Sequence, residues 1–448
     1  MTQPNRARER NRTLGLLLVL GLALRGGGLW LLRDAPLAAE GQVNDLEAAK
    51  LLEDGQSDYY WPPAVPAYLA VTYRLFGRSI PAARAAMIPP YCLLSLVVYL
   101  LTARVSNRRA ANMAVLLLAV LPSSIFLSIS PQPYLLTGLL VVAAAYLTLL
   151  ARDRLAGLFS AVAGLLLGLA ALAQPFAALL AAGWPVLVWA RWKRLAGGAA
   201  MLAAAALVVG LWCARIYRRT GRFTFINYGV SKEIFLGNCG WTPLYKTWWL
   251  TSDRQGEEGF NDFEALANQI EKHDFPTQAQ LFREHAYRHV WARPDLFACR
   301  VASRIRVFLA SHTLTGAVLV KTAGFGRADY GVLALDALLY FVVVFGAVLF
   351  FFLEPAGARS PDARYLLLGM MVLFAVPYWL IFAHANHHLP LVPLLCVLAG
   401  ISFARLLGDR REAWRGCIST RRRKLLLAGV GFVFAAIEVE WIAIVLLT

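Results

Sequence analysis

The sequence TLGLLLVLGLALRGGGLWLLRDAPLAAEGQVNDLEAAKLLEDGQSDYYWPP, residues 13–63, joins a long apolar segment to a short polar one. The apolar part, 13–32, is long enough to cross a bilayer as a helix. The polar part carries Asp45 in a helical context and ends in Tyr60, Pro62 and Pro63. A carboxylate held at a membrane surface beside aromatic side chains and rigid prolines suits chemistry on a lipid-anchored substrate. An integral membrane enzyme is therefore the first hypothesis.

The rest of the chain extends this pattern. Of the 448 residues, 59% are hydrophobic and 16% are charged, and the mean hydropathy is +0.56. Apolar runs of about 17 to 23 residues recur without the alternation of a soluble domain. We therefore expect an all-α, polytopic membrane protein that forms a single module over 1–448. The predicted spans are 13–32, 85–103, 110–127, 131–150, 156–173, 175–190, 195–212, 331–353, 365–383, 389–407 and 425–447.

The net charge is +17, and the basic residues are distributed regularly between the spans. Arginines precede the first span, and basic residues recur in every second short loop, whereas 128–133, 173–176 and 384–388 contain no Lys or Arg. Because cytoplasmic loops are enriched in Lys and Arg, this places the N-terminus in the cytoplasm and the C-terminus outside. The basic charge is mostly a signal of topology, and we expect no nucleic-acid partner.

Two polar regions are predicted outside the membrane, 33–84 and 213–330. In the second, the helical periodicity breaks at Pro276 and Pro294, which predicts short amphipathic helices lying at the membrane interface. Cys239 and Cys299 both fall there, so a disulfide between them is one possibility in an oxidising compartment.

Three polar groups are candidates for chemistry. Asp45 has either the role of a solvated carboxylate or that of a general base that deprotonates an acceptor hydroxyl. Arg215 and Arg218, with Arg219 and Arg222, could clamp a leaving phosphate or form a collar that attracts anionic headgroups. His384, His387 and His388 are interpreted as interfacial polar residues near a lipid phosphate rather than as metal ligands.

Ordered motifs along the chain resemble the GT-C fold glycosyltransferases that use polyprenyl-phosphate sugars. These include bacterial relatives of the protein O-mannosyltransferases and of the lipid A aminoarabinose transferase. The first loop fits a pattern of Asp, helix, Gly and Tyr-x-Pro-Pro. The other matching segments are LPSSIFLSIS (121–130), GLLLGLAALAQPF (164–176), WCARIYRRTGRF (212–223), EIFLGN (233–238), FREHAYRHVWARPDLF (282–297) and HHLPLVPLL (387–395).

The resemblance implies a GT-C bundle of about 11 transmembrane helices with interfacial helices in its outer loops, in a bacterial plasma membrane. It implies that Asp45 is the catalytic base of an inverting transfer to a hydroxyl of a lipid, glycan or protein. The implied contacts to the donor lipid phosphate are Arg215, Tyr217, Arg218, His387 and His388. The implied site-shaping residues are Asn44, Tyr60, Pro62, Pro63 and Gln132.

Gln132 stands where relatives often have an acidic residue, some of which act with a metal. No cofactor is therefore certain, and a divalent metal is a possibility. Two other functions fit parts of the pattern. A glycan ligase similar to the O-antigen ligases would rely on His285 and His289 in the large outer loop. A lipid-glycan transporter or flippase would carry charges deep in several spans, and most spans here are free of charge.

Overall fold

A computed structural model describes residues 3–37, 40–53, 55, 57–152, 155–247, 259–311, 328–353, 362–408 and 420–447. These residues form helices and connecting turns, and none of them lies in a β-strand. The α-helices are α1 Gln3–Leu31, α2 Glu40–Glu53, α3 Ala64–Phe76, α4 Ile80–Ala85, α5 Ile88–Val105, α6 Arg108–Val120, α7 Pro122–Leu127, α8 Pro133–Ala151, α9 Ala156–Ala173, α10 Ala177–Trp192, α11 Leu195–Thr220, α12 Val230–Asn238, α13 Phe260–Glu271, α14 Phe275–Ala292, α15 Pro294–Leu309, α16 Ala328–Phe352, α17 Asp362–Leu380, α18 Val392–Gly408 and α19 Arg421–Leu447. A 3₁₀-helix, Ala385–Leu391, joins α17 to α18.

Most of the predicted spans are long apolar helices. Nine helical segments of the described residues are long and apolar enough to cross a membrane, and α10 is a shorter apolar helix. The predicted span 110–127 is instead divided into α6 and α7, because Pro122 has no amide hydrogen and Leu121 before it is extended. The helices confirm the predicted all-α, polytopic fold.

Small residues allow the central helices to approach closely. A Cβ added at Gly164 would lie 2.0 Å from the carbonyl oxygen of Met201, and one at Gly168 would lie 3.0 Å from that of Ala205. Because neither glycine has a side chain, the backbone of α9 contacts α11 directly, as it does at small-xxx-small sequences in membrane helices. The motif GLLLGLA therefore has a packing role, fixing the middle of α9 against the first half of α11.

Two buried arginines fix the chain that leads to the outer loops. Arg25 lies within α1, where its Nε donates to Ser128 Oγ at 2.6 Å and its Nη2 to Ser124 Oγ at 2.9 Å. Arg84 Nη2 donates to the carbonyl oxygens of Ala35 and Pro36 at 3.0 and 2.9 Å. Since both side chains are buried, these hydrogen bonds pair N–H groups that water cannot reach, and among the described residues Arg84 Nε alone of the two guanidinium groups lacks a partner. They hold the segment between α1 and α2 against the turn before α8.

The four helices α12 to α15 form a second layer above the bundle. Arg304 of α15 is fully buried and donates to the carbonyl oxygen of Leu380 at 2.7 Å and to Asn238 Oδ1 at 2.8 Å. It thus ties α12 and the end of α17 to α15. The suggested Cys239–Cys299 disulfide is not formed, because Cys239 is buried, Cys299 is exposed and both are free thiols.

Candidate functional site

The helix ends on one side of the bundle surround a cavity of about 780 Å³. Segments far apart in sequence meet there: the start of α2, the loop before α3, the start of α8, the turn between α9 and α10, α12 and the loop after α17. Five of the residues predicted from the sequence line it, namely Asn44, Tyr60, Pro62, His384 and His387. The two polar regions and the short uncharged loops therefore do converge on one cavity.

Glu40 is the carboxylate that α2 presents to this cavity. It lies four residues before Asn44, so the two side chains share one face of α2. Tyr134 donates its hydroxyl hydrogen to Glu40 Oε1 at 3.1 Å, whereas Oε2 has no hydrogen-bond partner among the described residues. Burial raises the pKa of Glu40 from 4.5 to about 7, although the hydrogen bond from Tyr134 opposes the rise.

Asp45 lies on a different face of the same helix and does not line the cavity. Its carboxylate accepts hydrogen bonds from Tyr73 Oη at 2.6 Å and from Arg78 Nη2 at 2.7 Å. Burial alone would raise the pKa of Asp45, but the hydrogen bonds from Arg78 and Tyr73 together hold it below its ordinary value. The structure thus places Asp45 in an ion pair that joins α2 to the end of α3, and its predicted catalytic role stays an untested prediction.

A second carboxylate, Glu233, enters the cavity from α12. It has no hydrogen bond or ion pair among the described residues, unlike the other acidic residues of the lining. Asp58 pairs with Lys50 at 3.2 Å, and Glu271 pairs with Lys232 at 2.5 Å. Burial, and secondarily the nearby charge of Glu40, raises the pKa of Glu233 from 4.5 to about 8. Two carboxyl groups with raised pKa values in one cavity are typical of acid–base sites.

The loop before α3 is held in place by the segment before α12. The amide hydrogens of Tyr228 and Gly229 are donated to the carbonyl oxygens of Tyr59 and Tyr60 at 3.0 and 3.1 Å, and Asn227 Nδ2 donates to Tyr60 O at 2.7 Å. A Cβ on Gly229 would lie 2.6 Å from Tyr60 O, so only glycine permits this approach. The loop before α3 and the segment before α12 therefore form one connected wall of the cavity.

Aromatic rings form much of the remaining wall. The ring centroids of Tyr60 and Phe275 lie 5.2 Å apart, those of Tyr378 and His387 lie 4.7 Å apart, and Phe176 packs edge-on against Tyr378 at 4.8 Å. Several buried polar atoms of the lining have no hydrogen-bond partner among the described residues: Gln174 Oε1, Asn227 Oδ1, Tyr378 Oη and Asn386 Oδ1. Rings beside unsatisfied amide and hydroxyl groups suit a ligand that has both apolar faces and hydroxyl groups.

The other predicted residues do not line the cavity. Arg215, Tyr217 and Arg218 are exposed on the last turns of α11, where Arg215 Nη2 donates to Gly55 O at 3.3 Å. Pro63 and Gln132 precede α3 and α8, beside residues that do line it. His388 is buried, and its ring lies 4.8 Å from that of Tyr340. Their predicted contacts with a substrate stay untested predictions.

Glu40, Lys232 and Glu233 are among the cavity residues that sequence analysis missed. A helical wheel of α2 separates Glu40 and Asn44 from Asp45, but it does not tell which face meets the cavity. Among the described residues, no three His, Cys, Asp or Glu side chains are close enough together to hold a metal ion. The possible divalent metal therefore has no donor set in this part of the chain.

Comparison with known proteins gives matches at the level of structure. The oligosaccharyltransferase AglB from Archaeoglobus fulgidus, in complex with an inhibitory peptide and a dolichol-phosphate, matches with a TM-score of 0.52 and 15% identity over 96% of this chain and 55% of that chain. The same enzyme with Zn and sulfate matches with a TM-score of 0.52 and 17% identity over 94% and 52%. ArnT from Cupriavidus metallidurans in the apo state matches with a TM-score of 0.49 and 14% identity over 90% and 61%.

No protein-family model matches the sequence, and no curated protein matches it significantly. The chain spans about half the length of AglB. At these identities the matches establish the fold, and they confirm the GT-C fold that the ordered motifs predicted.

Proposed function

We propose that this protein is an inverting membrane glycosyltransferase that moves a sugar, hexose or pentose, from a polyprenyl-phosphate donor to a hydroxyl acceptor. The observation that carries the proposal is the environment of Glu40. One oxygen of its carboxyl group is held by Tyr134, the other faces an aromatic cavity without a protein partner, and its pKa of about 7 suits a base that works near neutral pH. The GT-C fold supports the same class of reaction.

In the proposed reaction, Glu40 Oε2 accepts the proton of the acceptor hydroxyl as the hydroxyl oxygen attacks the anomeric carbon. The bond from that carbon to the phosphate oxygen breaks on the opposite face of the sugar, and its electron pair leaves with the polyprenyl phosphate. The products are a glycoside with inverted configuration, the free lipid phosphate and a protonated Glu40. Tyr134 fixes the orientation of the carboxyl group through its hydrogen bond to Oε1.

In the proposed reaction, Glu233 is a second carboxyl group, and it is protonated. Because its pKa is raised to about 8, it carries a proton at neutral pH and donates it in a hydrogen bond to a sugar hydroxyl or to the acceptor. The rings of Tyr60, Phe275 and Tyr378 would pack against the apolar face of the sugar.

The leaving phosphate needs a cation, and Lys232 is the one lysine or arginine among the described residues that line the cavity. Its ammonium group is paired with Glu271, so binding of the phosphate would draw Lys232 from that ion pair. His384 and His387 lie on the other side of the lining. This assignment replaces Arg215 and Arg218 as the nearest cations, since both lie outside the cavity.

We place the protein in a bacterial plasma membrane with the cavity on the extracytoplasmic face, following the distribution of basic loops. The acceptor is a lipid, a glycan or a protein of the cell envelope. The prenyl chain of the donor would lie along the apolar helices beside the cavity.

The test compares cell-envelope glycolipids and glycoproteins from a deletion strain, its parent, and the deletion strain carrying wild-type protein, Glu40→Gln or Asp45→Asn. We expect one sugar to be missing in the deletion strain and in the Glu40→Gln strain. Wild type and Asp45→Asn should restore it if both are present in the membrane in equal amounts. An envelope unchanged by the deletion would contradict the proposed function, and loss of the sugar with Asp45→Asn alone would return the role of base to Asp45.

A further inference from the structure

The outer end of α11 carries a basic surface that the proposed reaction does not use. The helix has 26 residues, so it is about 39 Å long at 1.5 Å per residue, which exceeds the hydrocarbon thickness of about 30 Å. Leu207 and Leu211 on its surface are 57% and 64% exposed, as lipid-facing side chains are. The last turns therefore reach the depth of the lipid headgroups, and they present Arg215, Arg218 and Arg219, followed by Arg222.

Exposed aromatic side chains mark the same depth. Tyr217, Phe223 and Phe225 are 56%, 72% and 53% exposed and lie on or directly after the end of α11. Large apolar rings left exposed at the end of a membrane helix are typical of the interface, where their rings sit at headgroup level. The basic surface is thus positioned against lipid headgroups rather than in bulk water.

A polar cavity of about 300 Å³ opens beside this surface. Its lining includes Arg222 from the end of α11 and Arg283 from α14, together with Tyr228, Thr277 and Gln280. Arg222 Nη1 donates to Thr277 Oγ1 at 3.1 Å, and Arg283 Nη1 donates to Ser231 Oγ at 3.1 Å. Each guanidinium group has five N–H donors, so both retain donors for a further acceptor.

The charge around this cavity favours an anion. Two carboxylates contact its lining residues: Asp274 lies 3.5 Å from Arg222, and Glu284 accepts a hydrogen bond from Gln280 at 2.8 Å. Two arginines, Arg222 and Arg283, line the cavity itself, whereas neither carboxylate does, and Arg218 and Arg219 are exposed on the adjacent last turn of α11. The first turn of α14, which begins at Phe275, also lines the cavity and adds the partial positive charge of a helix N-terminus.

We propose that this cavity binds the headgroup phosphate of an anionic phospholipid, clamped between Arg222 and Arg283. The acyl chains run down the exposed leucine face of α11, and Phe223 lies at the level of the glycerol backbone. A phosphodiester suits two arginines because each guanidinium donates paired hydrogen bonds to phosphate oxygens. The bound headgroup would join the end of α11, the start of α14 and, through Ser231, the start of α12. The lipid therefore stabilises the outer layer that closes the catalytic cavity.

The test measures lipid binding to the purified full-length chain in detergent. Phosphatidylglycerol and phosphatidylcholine are titrated separately, and bound lipid is counted by native mass spectrometry while the unfolding temperature is recorded. We expect phosphatidylglycerol to bind in preference and to raise the unfolding temperature. In the double variant Arg222→Gln/Arg283→Gln, its dissociation constant should rise at least about tenfold, as expected for the loss of two charge-assisted hydrogen bonds.

The matched control is Lys272→Gln/Arg288→Gln, which removes two exposed charges of the same outer layer away from the cavity. It should bind phosphatidylglycerol as the wild type does. If the double variant does not fold, Arg222→Gln alone takes its place, because that side chain is exposed.

Three results would overturn the proposal. The first is equal binding of phosphatidylglycerol by wild type and the Arg222/Arg283 variant. The second is an equal rise in unfolding temperature with inorganic phosphate at the same concentration, and the third is displacement of the lipid by undecaprenyl phosphate. The last would assign the cavity to the donor instead. Since sugar transfer is not measured, the outcome is independent of the proposed function.

Discussion

Replacing Glu40 with Gln changes one oxygen to an amide nitrogen and leaves the shape of the side chain intact. The amide oxygen can still accept the hydrogen bond from Tyr134, so α2 and α8 should stay in place. What is lost is the carboxylate that takes the proton of the acceptor in the proposed reaction. We expect the rate of transfer to fall by about 10²–10⁴-fold, the usual contribution of a general base.

The proposed role of Glu40 also predicts how the rate of transfer by the wild-type protein depends on pH. With a pKa of about 7, Glu40 is ionised above that pH, and each unit below it lowers the ionised fraction about tenfold. At pH 5 the rate should be about a hundredfold below its plateau. A base at Asp45, whose pKa is lowered, would instead leave the rate unchanged over this range.

As pH rises, the contribution of Glu40 to the stability of the fold should fall, whereas the rate of transfer should rise. The pKa of Glu40 is raised in the folded state, so the stability linked to this group is fully present below about pH 4.5 and is lost as pH rises through about 7. The Gln side chain of the variant is uncharged at every pH, so the variant does not lose this stability. At pH 8 the variant should therefore be more stable than wild type by up to about 3 kcal/mol. This value is an upper limit, because water that enters the cavity lowers the cost of burying the carboxylate.

The assay uses membrane vesicles that hold equal amounts of wild type, Glu40→Gln or Asp45→Asn, and follows labelled sugar from endogenous lipid donor to acceptor between pH 5 and 8.5. The unfolding temperature is measured at both ends of this range. A Glu40→Gln enzyme with wild-type activity would refute the proposed role of Glu40. A variant less stable than wild type at pH 8 would show that the carboxylate is a structural group.

Other substitutions test the rest of the cavity. Glu233→Gln should keep most activity at pH 7, because the amide still donates a hydrogen bond, whereas Glu233→Ala should raise KM or lower kcat about tenfold in the same vesicle assay. Gly229→Ala should displace Tyr60 and cost about 1–3 kcal/mol, read from the unfolding temperature, and Gly210→Ala, which faces open space, should not. Arg304→Met should cost about 3–5 kcal/mol and make α12 to α15 sensitive to proteolysis, because it strands buried carbonyl groups.

The spans were predictable because hydropathy over about 20 residues is a local property of the sequence. Even Pro276 and Pro294 correctly indicate where α14 and α15 begin. The division of 110–127 at Pro122 was missed because a membrane helix tolerates proline when its neighbours satisfy the freed carbonyl groups. The disulfide was suggested by two outer cysteines, but which of them is buried depends on tertiary packing.

The site was harder to predict than the fold. Sequence order showed that Asn44, Tyr60, Pro62 and His387 belong to outer loops, and the structure brings them to one cavity. Sequence order did not show which acidic residue of α2 faces that cavity. A helix of 14 residues with acidic side chains at several angles has no strongly apolar face, so its rotation is set by contacts with α3 and α8. Asp45 faces Tyr73 and Arg78 for this reason, and Glu40 faces the cavity.

The buried arginines explain why positive charge alone is a poor guide to the proposed phosphate site. Arg25, Arg84 and Arg304 are fully or almost fully buried, and they donate to backbone carbonyl groups or to Ser and Asn side chains. A guanidinium group held in this way is a crosslink between segments, and drawing it toward a phosphate would strand the carbonyl groups it satisfies. Lys232 is different, because its flexible ammonium group has one carboxylate partner, half-buried at the cavity. An anion entering the cavity can displace Glu271 from Lys232 at little structural cost, which makes Lys232 the cation best suited to the leaving phosphate of the proposed reaction.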